Sequence, residues 1–143
     1  MEHVFRVYNN CLRIAKTEKN VDIDVFQVAT LLHEIARVKE DNCQDRSIDH
    51  AILESEMAID ILKSFNLDND FIEKVSSALR THRFKVGLIP ESLEAKILFD
   101  ADKLDVIGNI GICRTYMIAG EFKQTVFNDC DLEQYIATNL IGG

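Results

Sequence analysis

Several polar residues in this 143-residue chain stand where helical spacing predicts apolar ones. His33 and Glu34 interrupt the run Leu31-Leu32…Ile35-Ala36. His82 takes the next inward position after Val75, Ala78 and Leu79, and His3 lies beside Val7 at the edge of an apolar stripe. Asp102 stands one turn after Leu98 and one turn before Asp105. Asp100 is about 200° from Asp102 around a helix and cannot share its face, whereas Asp105 can. Burying an imidazole or a carboxylate alone is costly, so such groups must be hydrogen-bonded, wet or metal-bound. All four histidines fall on helix edges or inner faces, which favours ligation of a cation by nitrogen and carboxylate oxygen.

Each residue also has an ordinary explanation. A single histidine at a helix edge can be hydrogen-bonded and purely structural, and Asp102 can be one surface charge in the run Asp100, Asp102, Asp105. His50 and Glu54 have the i,i+4 spacing of a surface pair. Other chemistries are excluded more firmly. His33-Glu34-Ile35-Ala36-Arg37 lacks the second histidine of HExxH, and neither GxSxG nor GxxxxGK[ST] occurs. Gly108-Asn109-Ile110-Gly111 lacks the strand and spacing of a dinucleotide fingerprint.

The elements that must position these residues read as successive helices. One Pro and six Gly are too little punctuation for an all-β chain. Val4, Val7, Tyr8, Cys11, Ile14 and Ala15 form a first stripe. A second helix begins near Asp22 or Asp24 and carries Val25, Val28, Ala29, Leu32 and Ala36, widened by Phe26, Leu31 and Ile35. Its polar band is confined to Gln27, Thr30, Glu34 and Arg37, which predicts a place near the middle of the domain. Residues 39–47 read as a loop. A third helix has Ile48, Ile52, Ile59 and Leu62 inward. A fourth begins after Asp68 or Asp70 with Phe71, Ile72, Val75, Ala78 and Leu79. A fifth has Leu93, Ile97, Ala101 and Leu104 inward. Gly108 and Gly111 predict a bend or close packing before a sixth, and a short seventh starts after Asp131. The expected architecture is an all-α single compact bundle of six or seven helices.

Length and composition set the remaining bounds. A chain this long hides roughly 68–70% of its unfolded surface and needs no disulfide or metal to hold a core. Its net charge of −8 argues against a nucleic-acid polymer as partner but leaves small phosphorylated ligands open. No apolar stretch approaches the ~20 residues of a membrane helix, and the first residues lack a signal peptide's basic and apolar regions. The expectation is therefore a cytoplasmic protein with no membrane partner. Cys11, Cys43, Cys113 and Cys130 form no CxxC pair and read as reduced thiols.

The order His3, His33-Glu34, His50, His82, Asp102 resembles the HD superfamily of metal-dependent phosphohydrolases. His3-Val4-Phe5-Arg6-Val7 is similar to that family's H-x-x-R-V element, and Ala29-Thr30-Leu31-Leu32-His33-Glu34-Ile35 to its A-x-L-L-H-D-I element. Asp100-Ala101-Asp102-Lys103-Leu104-Asp105 through Arg114 is similar to the DADxLDxxGxxGxxR signature of a bacterial subfamily that includes nucleoside-triphosphate pyrophosphohydrolases. The similarity runs from His3 to about Phe122.

That resemblance implies a divalent cation held by His3, His33, Glu34 and Asp102, with Glu34, His50 and His82 in catalytic roles. Mixed N/O ligands suit Mn, Fe, Co, Ni or Zn, and Mg is also a candidate. A cation lowers the pKa of bound water from about 16 toward 7 and offsets charge on phosphoryl oxygens. The implied reaction is hydrolysis of a small phosphate ester or anhydride, a nucleotide first among them, by metal-activated water. Arg37, Lys39, Arg83 and Lys103 are the expected phosphate contacts, with Arg80 a further candidate. The chain departs from the pattern in carrying Glu34 where the family has Asp. The implied HD-type domain spans 1–143, trimmed at both ends relative to the family, and partner subunits in a homo-oligomer would cover the exposed faces. The alternative reading is a catalytically degenerate HD module that binds a nucleotide or a protein partner.

Overall fold

The computed structural model describes residues 2–37, 39, 50–83, 87–125, 131 and 133–134, with His50 described by its backbone alone. They form six helices: α1 (Glu2–Ala15), α2 (Ile23–Leu32), α3 (His50–Ser64), α4 (Asn69–Thr81), α5 (Leu93–Asp105) and α6 (Gly108–Glu121). No strand occurs among the described residues, as the periodicity predicts. Of the loop expected at 39–47 only Lys39 is described, its amide donating to the Ala36 carbonyl at 2.9 Å. Residues 40–47, inward Ile48, Cys43, Cys130 and most of the short seventh helix lie outside the described residues. Within that last stretch, Asp131 Oδ1 accepts from the Gln134 amide at 3.0 Å. No helix among the described residues is long and apolar enough to cross a membrane.

Two compact units are present, Met1–Asp105 and Val106–Gly143. In the first, α2 packs against α1, α4 and α5, the central position its narrow polar band predicts. Also in contact are α1 with α5, α3 with α4, and α4 with α5. Two helix starts are capped where the sequence has aspartates: Asp22 accepts from the Val25 amide and Asp68 from the Asp70 amide. The core joins Val7 and Cys11 of α1 to Val25, Phe26 and Ala29 of α2, Val75, Ala78 and Leu79 of α4, and Leu98 and Ala101 of α5.

Four inward assignments differ from the expectation. Thr30, placed in the polar band, is fully buried because its hydroxyl donates to the Phe26 carbonyl at 2.6 Å and meets Cys11 Sγ at 3.3 Å. Leu31 is exposed instead. On α3 the buried face is Ala51, Glu54, Ser55, Ala58 and Leu62, and Ile52 is exposed. Small residues there permit close approach to α4, and they turn Glu54 inward. On α5 the buried stripe runs through Leu98, Ala101 and Asp105, which leaves Leu104 outside.

The second unit is built on α6. Gly108 opens it at φ +76°, a backbone conformation that favours glycine. A Cβ on Gly111 would lie 2.1 Å from the Val106 carbonyl oxygen, so the turn closes over the first turn of α6 only because residue 111 has no side chain. The bend and close packing expected of these glycines are both present.

Candidate metal centre

Three segments bring the candidate ligands together. His3 stands in the first turn of α1, and His33 and Glu34 follow the last residue of α2. Asp102 lies in the last turn of α5. His3 Nε2 is 3.4 Å from His33 Nε2, 3.5 Å from Glu34 Oε1 and 3.2 Å from Asp102 Oδ1. Donor atoms of His3, His33 and Glu34 lie within 4.8 Å of one another. His33 is buried, and the other three are partly buried.

Local structure explains how the dyad is presented. The sequence predicts a helix continuing through His33, but α2 ends at Leu32 and residues 33–36 form tight turns. The amides of Ile35 and Arg37 donate to the Leu32 and Glu34 carbonyls at 3.1 and 3.2 Å. His33 caps the helix and its Nδ1–H donates to the Thr30 carbonyl at 2.6 Å. In the neutral ring that leaves Nε2 as an acceptor facing His3. Glu34 reaches His3 from the same turn, Oε1 to Nε2 at 3.5 Å.

The electrostatics favour a cation there. Burial alone would lower the His3 pKa, but hydrogen bonds to Asp102, Glu34 and Asp105 outweigh it and raise it to about 9. Burial would raise the Glu34 pKa; the His3 hydrogen bond with the charges of Arg37 and His3 instead brings it down to about 2. Asp102 is likewise driven well below the ordinary carboxylate range, against its burial, by His3 and Lys103. Burial pushes the His33 imidazole the other way, toward the neutral form a metal ligand needs. Two imidazole nitrogens and the Glu34 oxygen lie close enough together to share a divalent transition metal, and Asp102 joins them through its contact with His3.

Around this cluster lies a second row of groups. His82, at the C-cap of α4, has Nδ1 2.6 Å from the Leu79 carbonyl oxygen, and its Nε2 is 3.7 Å from Glu54 Oε2. Its ring meets that of His33 edge-on, with centroids 5.8 Å apart. Glu54 is therefore buried beside His82 and not half of a surface pair. The His50 side chain lies outside the described residues. Lys103 Nζ donates to the His82 carbonyl at 2.9 Å and to Asp102 Oδ2 at 2.8 Å, so it ties α4 to α5 beside the ligands. Arg37 and Lys39 are exposed and Arg83 is half-buried. Arg80 donates to Ser55 Oγ at 2.9 Å.

Sequence reasoning passed over three residues here. Asp105 lies 2.7 Å from His3 Nδ1 through Oδ2 and receives Arg6 in a fork, Nε to Oδ1 at 2.6 Å and Nη2 to Oδ2 at 3.0 Å. The i,i+3 spacing of Asp102 and Asp105, and Arg6 inside the H-x-x-R-V element, were the available signals. Glu54 carried none beyond its spacing to His50.

The chain matches the HD domain family over residues 1–107. It is 29% identical over 131 residues to YpgQ of Bacillus subtilis (strain 168), 89% of this chain and 60% of that protein's length. The crystal structure of a predicted HD superfamily hydrolase from an uncultured Thermotogales bacterium is similar with a TM-score of 0.69 and 39% identity, over 82% of this chain and 63% of that one. The crystal structure of B. subtilis YpgQ in complex with ADP is similar in fold, with a TM-score of 0.65 and 24% identity over 96% of this chain and 66% of that one.

Proposed function

This chain belongs to the HD domain family, and on that premise we propose that it is a metal-dependent phosphohydrolase acting on a small phosphate ester or anhydride, a nucleotide first among them. The meeting of His3, His33 and Glu34, with Asp102 beside His3, carries this reading. The ADP complex of YpgQ supports a nucleotide ligand, since YpgQ shares 29% identity with this chain. One HD-type domain over residues 1–143, matched by the family over 1–107, would carry the activity.

His3, His33, Glu34 and Asp102 would hold the cation. When bound, it would supply Lewis acidity, offsetting phosphoryl charge and lowering the pKa of water. The protein's own groups then have distinct tasks. Burial keeps His33 neutral, so its Nε2 lone pair is available. His82 Nε2 and Glu54 Oε2 face one another at 3.7 Å as a buried imidazole–carboxylate pair, which would be the candidate for general acid–base work. Glu34 would serve as ligand and also orient water, and His50 would line the same pocket. Arg37, Lys39, Arg83 and Lys103 would meet phosphate, with Lys103 also steadying Asp102.

The test is to purify the protein, reconstitute it with Mn, Zn, Fe, Co, Ni or Mg, measure bound metal, and assay nucleotides. Stoichiometric metal and turnover of a nucleotide are expected; no bound metal after reconstitution ends the reading. A non-catalytic binding module is the second reading, favoured by Glu34 at the dyad. Wild-type turnover excludes it, whereas a silent wild type with a large gain in Glu34→Asp would establish it.

A further inference from the structure

Two pairs of polar residues on facing helices interlock. His3 and Arg6 are three residues apart on α1, and Asp102 and Asp105 are three apart on α5, so each pair shares one face of its helix. The helices pack together, and the pairs meet unequally. His3 touches both aspartates, through Nε2 to Asp102 and Nδ1 to Asp105. Arg6 forks onto Asp105.

We propose that Asp105 is a positioning residue for the metal centre: seated in the Arg6 fork, it takes the Nδ1–H of His3 and so holds the His3 Nε2 lone pair toward the cation. This rests on the metal-dependent reading above. A carboxylate gripped in a guanidinium fork is an acceptor, so the His3 atom 2.7 Å away must be the donor. A neutral imidazole has one N–H, and spending it at Nδ1 leaves Nε2 bare. The backbone carbonyl of Thr30 does the same for His33. The two histidines thus present Nε2 by different devices, one local to its helix and one across 102 residues of sequence. Such outer partners fix ring orientation and strengthen the ligand. Asp105 is nearly inaccessible to solvent, at 3%, which suits a fixed support.

The experiment uses the full chain with 15N-labelled histidine, loaded with zinc. Only four histidines are present, so their ring signals can be assigned one by one. In the wild type, long-range 1H–15N correlations should show His3 protonated at Nδ1 and zinc-bound at Nε2. Zinc bound at Nδ1 of His3 would overturn the inference. Asp105→Asn removes the charge and one of the two acceptor oxygens, so it cannot take both arms of the Arg6 fork as well as His3, and Arg6→Gln loses the fork. Each should weaken zinc binding about 10–100-fold by calorimetry. Unchanged affinity and an unchanged His3 tautomer in folded variants would reduce the cluster to a helix clamp and refute the positioning role. If the wild type takes up no zinc, the parent reading falls as well. The wild-type spectrum decides the matter even if a variant fails to fold.

Discussion

His33 and His82 end two different helices in the same way. Each stands at a C-cap, and each has its Nδ1 2.6 Å from the carbonyl oxygen three residues back, Thr30 in one case and Leu79 in the other. The rings meet edge-on at 5.8 Å. A terminal helix carbonyl lacks an intrahelical partner, so an imidazole that folds back to satisfy it closes the helix and also fixes its own tautomer. One local contact therefore both stops the helix and sets where Nε2 points, toward His3 from His33 and toward Glu54 from His82.

Removing a ligand should cost more than removing its support. In His33→Ala, zinc or manganese affinity should fall by more than about 100-fold, the upper range for loss of an outer partner. Calorimetry and metal analysis after dialysis check this, and retention of stoichiometric metal would contradict His33 as a ligand.

Glu54→Gln keeps size and replaces the carboxyl group facing His82 with an amide. If the pair handles a proton, turnover should drop about 10²–10⁴-fold while bound metal stays stoichiometric. Steady-state kinetics beside metal analysis separates the two effects; unchanged turnover would remove Glu54 from the mechanism.

The raised His3 pKa sets a pH dependence with a definite sign. Between neutrality and about 9, His3 carries a proton that a cation must displace. Metal affinity should therefore climb up to about tenfold per pH unit until about 9, then level off, with close to one proton released per cation near neutral pH. Calorimetry in buffers of differing ionisation enthalpy measures that release. Folding stability of the protein without metal moves the opposite way. The contribution of His3 is fully present below the ordinary value of 6.5 and is lost as pH rises through about 9. A urea midpoint that rises over that interval would contradict this assignment.

Two glycines of α6 should respond oppositely to alanine. Gly111→Ala drives a Cβ into the Val106 carbonyl and should destabilise by about 1–3 kcal/mol. Gly120 has nothing within 4 Å of an added Cβ, so Gly120→Ala should stabilise by about 0.5–1 kcal/mol through helix propensity. Urea unfolding of both variants tests the pair.

Much of this protein can be read along its chain, because helical spacing encodes which residues share a face. The stripe Val7–Cys11, the apolar faces of α2 and α4, the aspartate caps and the bend at Gly108 and Gly111 follow from local pattern alone. So does the chemical character of His3, His33-Glu34, His82 and Asp102. Spacing within one helix does not say which face a neighbour will cover. On α3 the small residues Ala51, Ser55 and Ala58 turned inward and carried Glu54 with them, while Ile52 stayed outside. Asp105 is buried because Arg6, 99 residues away in sequence, supplies the charge that makes its burial tolerable. Residue types and their intervals thus determined the class of fold and which side chains are of a type to ligate a cation. Which acids reach the pocket, and which nitrogen of His3 faces its centre, was decided by contacts between helices distant in sequence, since burial of a charge depends on partners no local pattern contains.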